Sequence, residues 1–157
     1  MVPDVTARIA REAQATGISQ VQAKLGASGD WTTDVERLAM VREAVGPGPL
    51  VYGDWNCGTT SLEATRVGRA ASHLDVMLEQ PCPTIADCVR VRVATGLPMK
   101  LDEVAHDTAS LLQAHKDGCM DAVALKLSKF GGLSATRRAR DLCLPLGARM
   151  CVEDTWG

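Results

Sequence analysis

The sequence lacks the marks of several large functional classes. No apolar run approaches the roughly 20 residues that cross a bilayer, so no membrane-spanning helix is expected. The opening stretch MVPDVTARIAREAQATG is amphipathic and carries acids, which does not fit a secretory leader. There is no excess of positive charge: the formal net charge is −2. The basic residues are scattered, and Arg137, Arg138 and Arg140 read as the wet face of a helix. That removes the electrostatic footprint of a nucleic-acid or acidic-lipid partner. The six cysteines, Cys57, Cys82, Cys88, Cys119, Cys143 and Cys151, form no CxxC pair and no zinc-like spacing. Cys88, Cys143 and Cys151 sit inside apolar patterns, so the expectation is reduced, mostly buried thiols in a cytoplasmic protein. Finally, no GxGxxG or GxxxxGK[ST] turn follows any apolar run, which withdraws support from the nucleotide-binding sheets.

What the chain does have is alternation. Its 157 residues, 46% apolar and 23% charged, suffice for one core and suggest a single domain over residues 1–157. Short apolar runs at Ile18–Lys24, Leu50–Gly53, Leu74–Leu78, Pro98–Leu101, Ala122–Leu125 and Met150–Val152 read as strands. Helical patterns lie between them, at Thr33–Val45, Ser61–Ser72, Thr84–Ala94, Asp107–Lys116 and Ser134–Cys143, with one more at the start. Capping boxes are expected at Thr33/Glu36 and Thr84/Asp87, with stops at Gly46, Gly96 and Gly118. Pro145 should end the last helix early. Strict alternation predicts a parallel sheet with right-handed crossovers, though periodicity alone does not separate an open sheet from a (β/α)8 barrel.

A chemical regularity separates them. Each expected strand closes on an ionisable residue: Lys24, Asp54, Glu79, Asp102, Lys126 and Glu153. The intervals are 30, 25, 23, 24 and 27 residues, one strand–helix unit each. In a barrel those ends share one mouth, where this fold builds its active sites. Three carboxylates on successive strands, Asp54, Glu79 and Asp102, would repel one another in a partly dry site. A hard divalent cation, Mg²⁺ or Mn²⁺, relieves that repulsion; otherwise each carboxylate caps a helix or meets water. Lys24 and Lys126 flank the acids and would approach a bound substrate from opposite sides, with burial lowering the pKa of each toward use as a base. They could instead simply pair with the carboxylates, or Lys126 could act as a Schiff-base nucleophile in an aldolase-type barrel. His73, His106 and His115 fall outside the strand-end register, and Gly131 and Gly132 read as a tight turn.

The segments QAKLG, YGDWN, LEQPCPT, PMKLDE, LKLSKFGGL and CVEDTWG resemble successive signatures of the enolase superfamily, in its muconate lactonizing enzyme/mandelate racemase branch. LKLSKFGGL, RDLC and EDTWG are similar to a subgroup of hydroxyproline-betaine epimerases and cis-3-hydroxyproline dehydratases. The resemblance implies Asp54, Glu79 and Asp102 as metal ligands and Lys24 and Lys126 as paired acid/base residues. It implies a racemase, epimerase or dehydratase that removes the proton α to the carboxylate of a proline-type amino acid or betaine. The resulting enediolate is the intermediate that Mg²⁺ stabilises in this superfamily. Asn56, Gln80, Glu103 and Glu153 are candidates to orient ligands or substrate, and Asp154 with Trp156 could hold a substrate ammonium. Relatives of this kind are expected to be homo-oligomeric.

The chain departs from the family pattern at Gln22, which replaces the first lysine of a KxK motif, and at Trp55, bulkier than the usual alanine and expected to narrow the mouth. A full barrel takes about 250 residues. The expectation is therefore a partial barrel holding the second to seventh strands, without the first and eighth strands or the N-terminal capping domain. An inactive fragment or pseudoenzyme is the corresponding non-enzymatic reading.

Overall fold

A computed structural model describes residues 8, 11, 12 and 15–153. The strands are β1 (Gln20–Lys24), β2 (Leu50–Asp54), β3 (Val76–Glu79), β4 (Met99–Leu101), β5 (Ala122–Lys126) and β6 (Arg149–Glu153). Between them run α1 (Trp31–Val45), α2 (Ser61–Ala70), α3 (Ile85–Thr95), α4 (Thr108–Lys116), the short α5 (Leu127–Phe130) and α6 (Leu133–Cys143). All six strands are parallel and pair in chain order, β1-β2-β3-β4-β5-β6. This is a curled, six-stranded part of a (β/α)8 barrel, as the phased strand ends predict. Among the described residues β1 and β6 each have one neighbouring strand. Of the expected opening helix, residues 8, 11, 12 and 15 are helical and the rest lies outside the described residues.

The local chemistry that starts and stops each helix is mostly where the sequence puts it. Thr84 Oγ1 accepts from the Asp87 amide at 3.1 Å to open α3, and Gly96 ends it in the left-handed conformation at φ 70°. Asp107 and Ser110 form a reciprocal capping box on α4. The box expected at Thr33/Glu36 is corrected: α1 starts earlier because Asp30 accepts from the Thr32 amide at 2.9 Å and from its hydroxyl at 2.8 Å. Thr33 is thus inside the first turn. The short α5 was not expected at all. It ends at Gly131, whose φ of 86° together with the 104° of Gly132 makes the predicted tight turn. α6 stops at Cys143, before Pro145.

Alternation along the strands divides the side chains between two faces. Val51, Val76, Leu78, Met99, Leu101, Val123 and Leu125 point outward into one continuous core with Leu38, Val41, Val45, Val67, Val91 and Leu111 of the helices. Each such fully buried side chain contributes about 1.5–3 kcal/mol. The concave face carries a much smaller apolar group, Tyr52, Met77 and Ala122, with Leu50 against it. Polar residues occupy most of the rest of the concave face, with Ala124 and Cys151 between them. Among the described residues no helix is long and apolar enough to cross a membrane. The cysteines are free; Cys82, Cys88, Cys119 and Cys143 are buried, and Cys57 and Cys151 are partly so.

Candidate active site

The strand-end residues do converge. Lys24, Asp54, Glu79, Lys126 and Glu153 are the last residues of β1, β2, β3, β5 and β6, and Asp102 immediately follows β4. Parallel pairing sets Lys24 beside Asp54, Asp54 beside Glu79, and Lys126 beside Glu153. A cavity of about 740 Å³ opens at these ends, lined by Lys24, Asp54, Asn56, Asp102, Glu103, Lys126 and Glu153 among others. Glu79 lies beneath it, fully buried.

The groups form two linked halves. On one side Lys24 donates to Asp54 Oδ2 and, at 2.7 Å, to Asn56 Oδ1. Asp54 Oδ1 accepts from the Asn56 amide at 2.8 Å, and Asn56 Nδ2 donates to Glu103 at 3.1 Å. On the other side Asp102 takes Lys126 at 2.5 Å and Lys129 at 2.8 Å. Lys126 also lies 3.9 Å from Glu153 Oε2. Oxygens of Glu79, Asp102 and Glu153 fall within 4.8 Å of one another. The motif-based triad and this geometric cluster share Glu79 and Asp102; Asp54 is turned toward Lys24, and Glu153 completes the cluster instead.

Gln80, expected to orient a ligand, reaches the backbone of Asp102. Its Oε1 accepts from the Asp102 amide at 2.9 Å while its Nε2 donates to the Cys82 carbonyl at 2.7 Å. Asp154 and Trp156 lie outside the described residues. Trp55 is corrected: it is buried on the helix side of the sheet and donates from Nε1 to Asp34 at 3.2 Å. One residue past Asp54, it faces the opposite side by strand alternation and leaves the mouth untouched.

Two lysines were missed in the sequence. Lys100 ion-pairs with Glu79 Oε1 at 2.9 Å and Glu153 Oε1 at 2.5 Å, and sits 4.8 Å from the Tyr52 ring centroid. Its signal was period two, two residues before Asp102 on the same face. Lys129 stands one helical turn after Lys126 and also donates to the carbonyls of Asp102 and Ala124, at 2.6 and 2.9 Å.

Burial and charge act against each other throughout. Burial raises the Glu79 carboxyl above its ordinary value despite Lys100 and Gln22. Burial opposes ionised Asp102 too, but Lys126 and Lys129 hold it below the ordinary value. Burial of Lys129 wins over its partners and lowers it. Burial of Lys126 would likewise lower it, as expected from the sequence, but Asp102 and Glu153 outweigh this and hold its ammonium above the ordinary value. Lys100 follows the same rule: desolvation is overcome by Glu153 and Glu79.

The donor set fits a hard divalent ion. It is all oxygen, the acids converge, and Glu79 Oε1 is buried with no hydrogen bond, its contact with Lys100 being an ion pair of other geometry.

Residues 5–157 match the family model described as enolase C-terminal domain-like. The chain belongs to this family. It is 39% identical over 155 residues to a cis-3-hydroxy-L-proline dehydratase of Roseibium aggregatum, an alignment covering 99% of this chain and 42% of that protein. It superimposes with a TM-score of 0.90 on a mandelate racemase/muconate lactonizing enzyme from Roseovarius nubinhibens ISM, 34% identical, over 100% of this chain and 43% of that one. A further enolase-superfamily member from the same organism, solved in complex with magnesium, matches at 30% identity and TM-score 0.90, over 100% of this chain and 42% of that one. The chain thus spans less than half the length of these enolase-superfamily proteins.

Proposed function

We propose that this chain carries the catalytic groups of a metal-dependent racemase, epimerase or dehydratase that moves the proton α to a carboxylate. The observation that supports it is one cavity in which Lys24 of β1 and Lys126 of β5 flank a group of converging carboxylates. Glu79 and Asp102 are the ligands common to motif and geometry, with Asp54 as third ligand by resemblance and Glu153 by proximity. Mg²⁺ bound there supplies Lewis-acid stabilisation of the charge that develops on the substrate carboxylate.

The protein's own groups divide the proton work. Lys126, ion-paired with Asp102 at 2.5 Å, is the donor: it returns a proton to the α-carbon in epimerisation, or protonates a leaving hydroxyl in dehydration. Lys24, on the far strand and more than half exposed, takes the α-proton from the other side. Asn56 keeps the Lys24 amine aimed by accepting from it at 2.7 Å. A proline-type amino acid or betaine is the substrate class supported by the segments LKLSKFGGL and EDTWG and by the dehydratase relative. The Schiff-base reading leaves the converging carboxylates without a role.

The test is α-proton exchange in D₂O, followed by NMR on cis-3-hydroxyproline, 4-hydroxyproline and proline betaine with Mg²⁺ present. Exchange is expected in the parent protein and reduced about 10²–10⁴-fold by Lys24→Ala, whereas Lys126→Ala should reduce epimer or dehydrated product by a similar factor while Lys24 still exchanges the proton. Exchange that survives Lys24→Ala, product that survives Lys126→Ala, or exchange that persists in EDTA rules the reading out.

A further inference from the structure

Beneath the strand-end groups is a second inward layer, two residues earlier on each strand: Gln22, Tyr52, Met77, Lys100, Ala124 and Cys151. Lys100 is the lysine of that layer, with a side chain only 3% exposed. Placing an ammonium there is costly, and a methionine would fill the space with no desolvation penalty. Its contacts indicate why the charge is there. The two oxygens of Glu79 are divided between β1 and β4: Oε2 accepts from Gln22 Nε2 at 2.6 Å, and Oε1 faces Lys100 Nζ at 2.9 Å. Positions 22 and 100 therefore reach one carboxylate from two strands, and only position 100 brings a charge.

The other acids have cations of their own. Asp54 has Lys24, and Asp102 has Lys126 and Lys129. Glu79 and Glu153 share Lys100, which touches both. We propose that Lys100 is a built-in counter-cation of the acid cluster, supplying from β4 the positive charge that position 22 of β1 lacks, and that it sets how tightly the cluster takes a divalent ion. The second half of this inference rests on the metal reading above; the first half does not. Lys100 touches no substrate in this scheme. It is a positioning residue that keeps buried Glu79 and half-buried Glu153 together and competes with the metal for their charge.

The experiment combines calorimetric Mg²⁺ titration with thermal unfolding in EDTA. It compares the parent protein with Lys100→Met, Gln22→Lys and the double variant. Lys100→Met should melt several degrees lower in EDTA, because Glu79 and Glu153 lose their shared partner. The same variant should bind Mg²⁺ about tenfold more tightly or better, since the ion no longer meets a fixed charge. Gln22→Lys adds a second cation at an exposed position and should weaken Mg²⁺ binding about tenfold. The double variant should return both quantities close to the parent values. A packing role alone predicts a lower melting point with Mg²⁺ affinity unchanged or reduced, and no recovery in the double variant; that result overturns the proposal. Should Lys100→Met fail to fold, Gln22→Lys decides, and an unchanged affinity there overturns it as well. If the parent protein takes up no Mg²⁺, the metal reading falls. The counter-cation then stands or falls on whether Gln22→Lys restores the EDTA melting point of Lys100→Met.

Discussion

Gln80, fully buried at the end of β3, fixes the position of Asp102 at the end of β4: its Oε1 accepts from the Asp102 amide at 2.9 Å. The side chain is locked in turn by its Nε2, which donates to the Cys82 carbonyl at 2.7 Å. One acid of the site is thus placed by a neutral residue of the neighbouring strand. Gln80→Met keeps the volume and leaves the buried Asp102 amide without its acceptor. It should cost about 1–3 kcal/mol in urea unfolding and weaken Mg²⁺ binding in the same protein.

The third metal ligand can be assigned by substitution. Asp54→Asn and Glu153→Gln each remove one negative charge from the cluster while keeping shape. The resemblance to enolase-superfamily motifs expects Asp54→Asn to lose Mg²⁺ affinity by more than tenfold, with Glu153→Gln changing it less. Calorimetry with the order reversed would assign the third ligand to Glu153.

The pair Arg92–Asp121 ties α3 to the bottom of the sheet through bonds of 2.7 and 2.8 Å, and Asp121 also accepts from the Met99 amide at 2.8 Å. Burial opposes the ionised carboxyl, but Arg92 and the Met99 amide hold it below its ordinary value of 3.8. A depressed folded-state pKa means stability that is present above 3.8 and lost as pH falls through the lower folded value. Asp121→Asn should cost about 1–2 kcal/mol at neutral pH, near the low end because both side chains are about a third exposed. Unfolding followed across the acid range should show a shallower loss below 3.8 in the variant.

Asp34 supports the loop after Lys24. Both its oxygens accept from the Gly26 amide at 2.9 Å, and Trp55 Nε1 donates to it at 3.2 Å. Asp34→Ala strands two donors and should lower stability by about 2–3 kcal/mol, measured by chemical denaturation. Gly26 adopts φ 80°, and an added Cβ would stand 3.1 Å from Trp55 Cδ1. Gly26→Ala should therefore also destabilise, by about 1–2 kcal/mol.

The barrel class was legible because its two signals are local and periodic. Apolar runs alternate with amphipathic ones, and an ionisable residue recurs at each strand end from Lys24 to Glu153. Parallel pairing in chain order then needs no further information. Helix starts were legible where a side chain caps within three residues, as at Thr84 and Asp107. They were misplaced at Thr33, where the neighbouring Asp30 is the better-placed acceptor.

The sequence by itself determined which strand-end residues reach the mouth, since strand phase decides the face that each side chain takes; Lys129, on α5, lies outside that rule. Only the tertiary structure decided how those residues pair. Shear between strands sets Lys100 beside Glu79 and leaves Asp102 one step higher, so a lysine between strand-end acids enters the cluster from below. Curvature brings Glu153 of β6 to Glu79 of β3, two groups far apart in the chain. Trp55 turns into the core because Asp34 waits there for its N–H. Charges in a low-dielectric cavity respond to distances of a few ångströms, and a one-dimensional pattern carries spacing along strands but no distances across them.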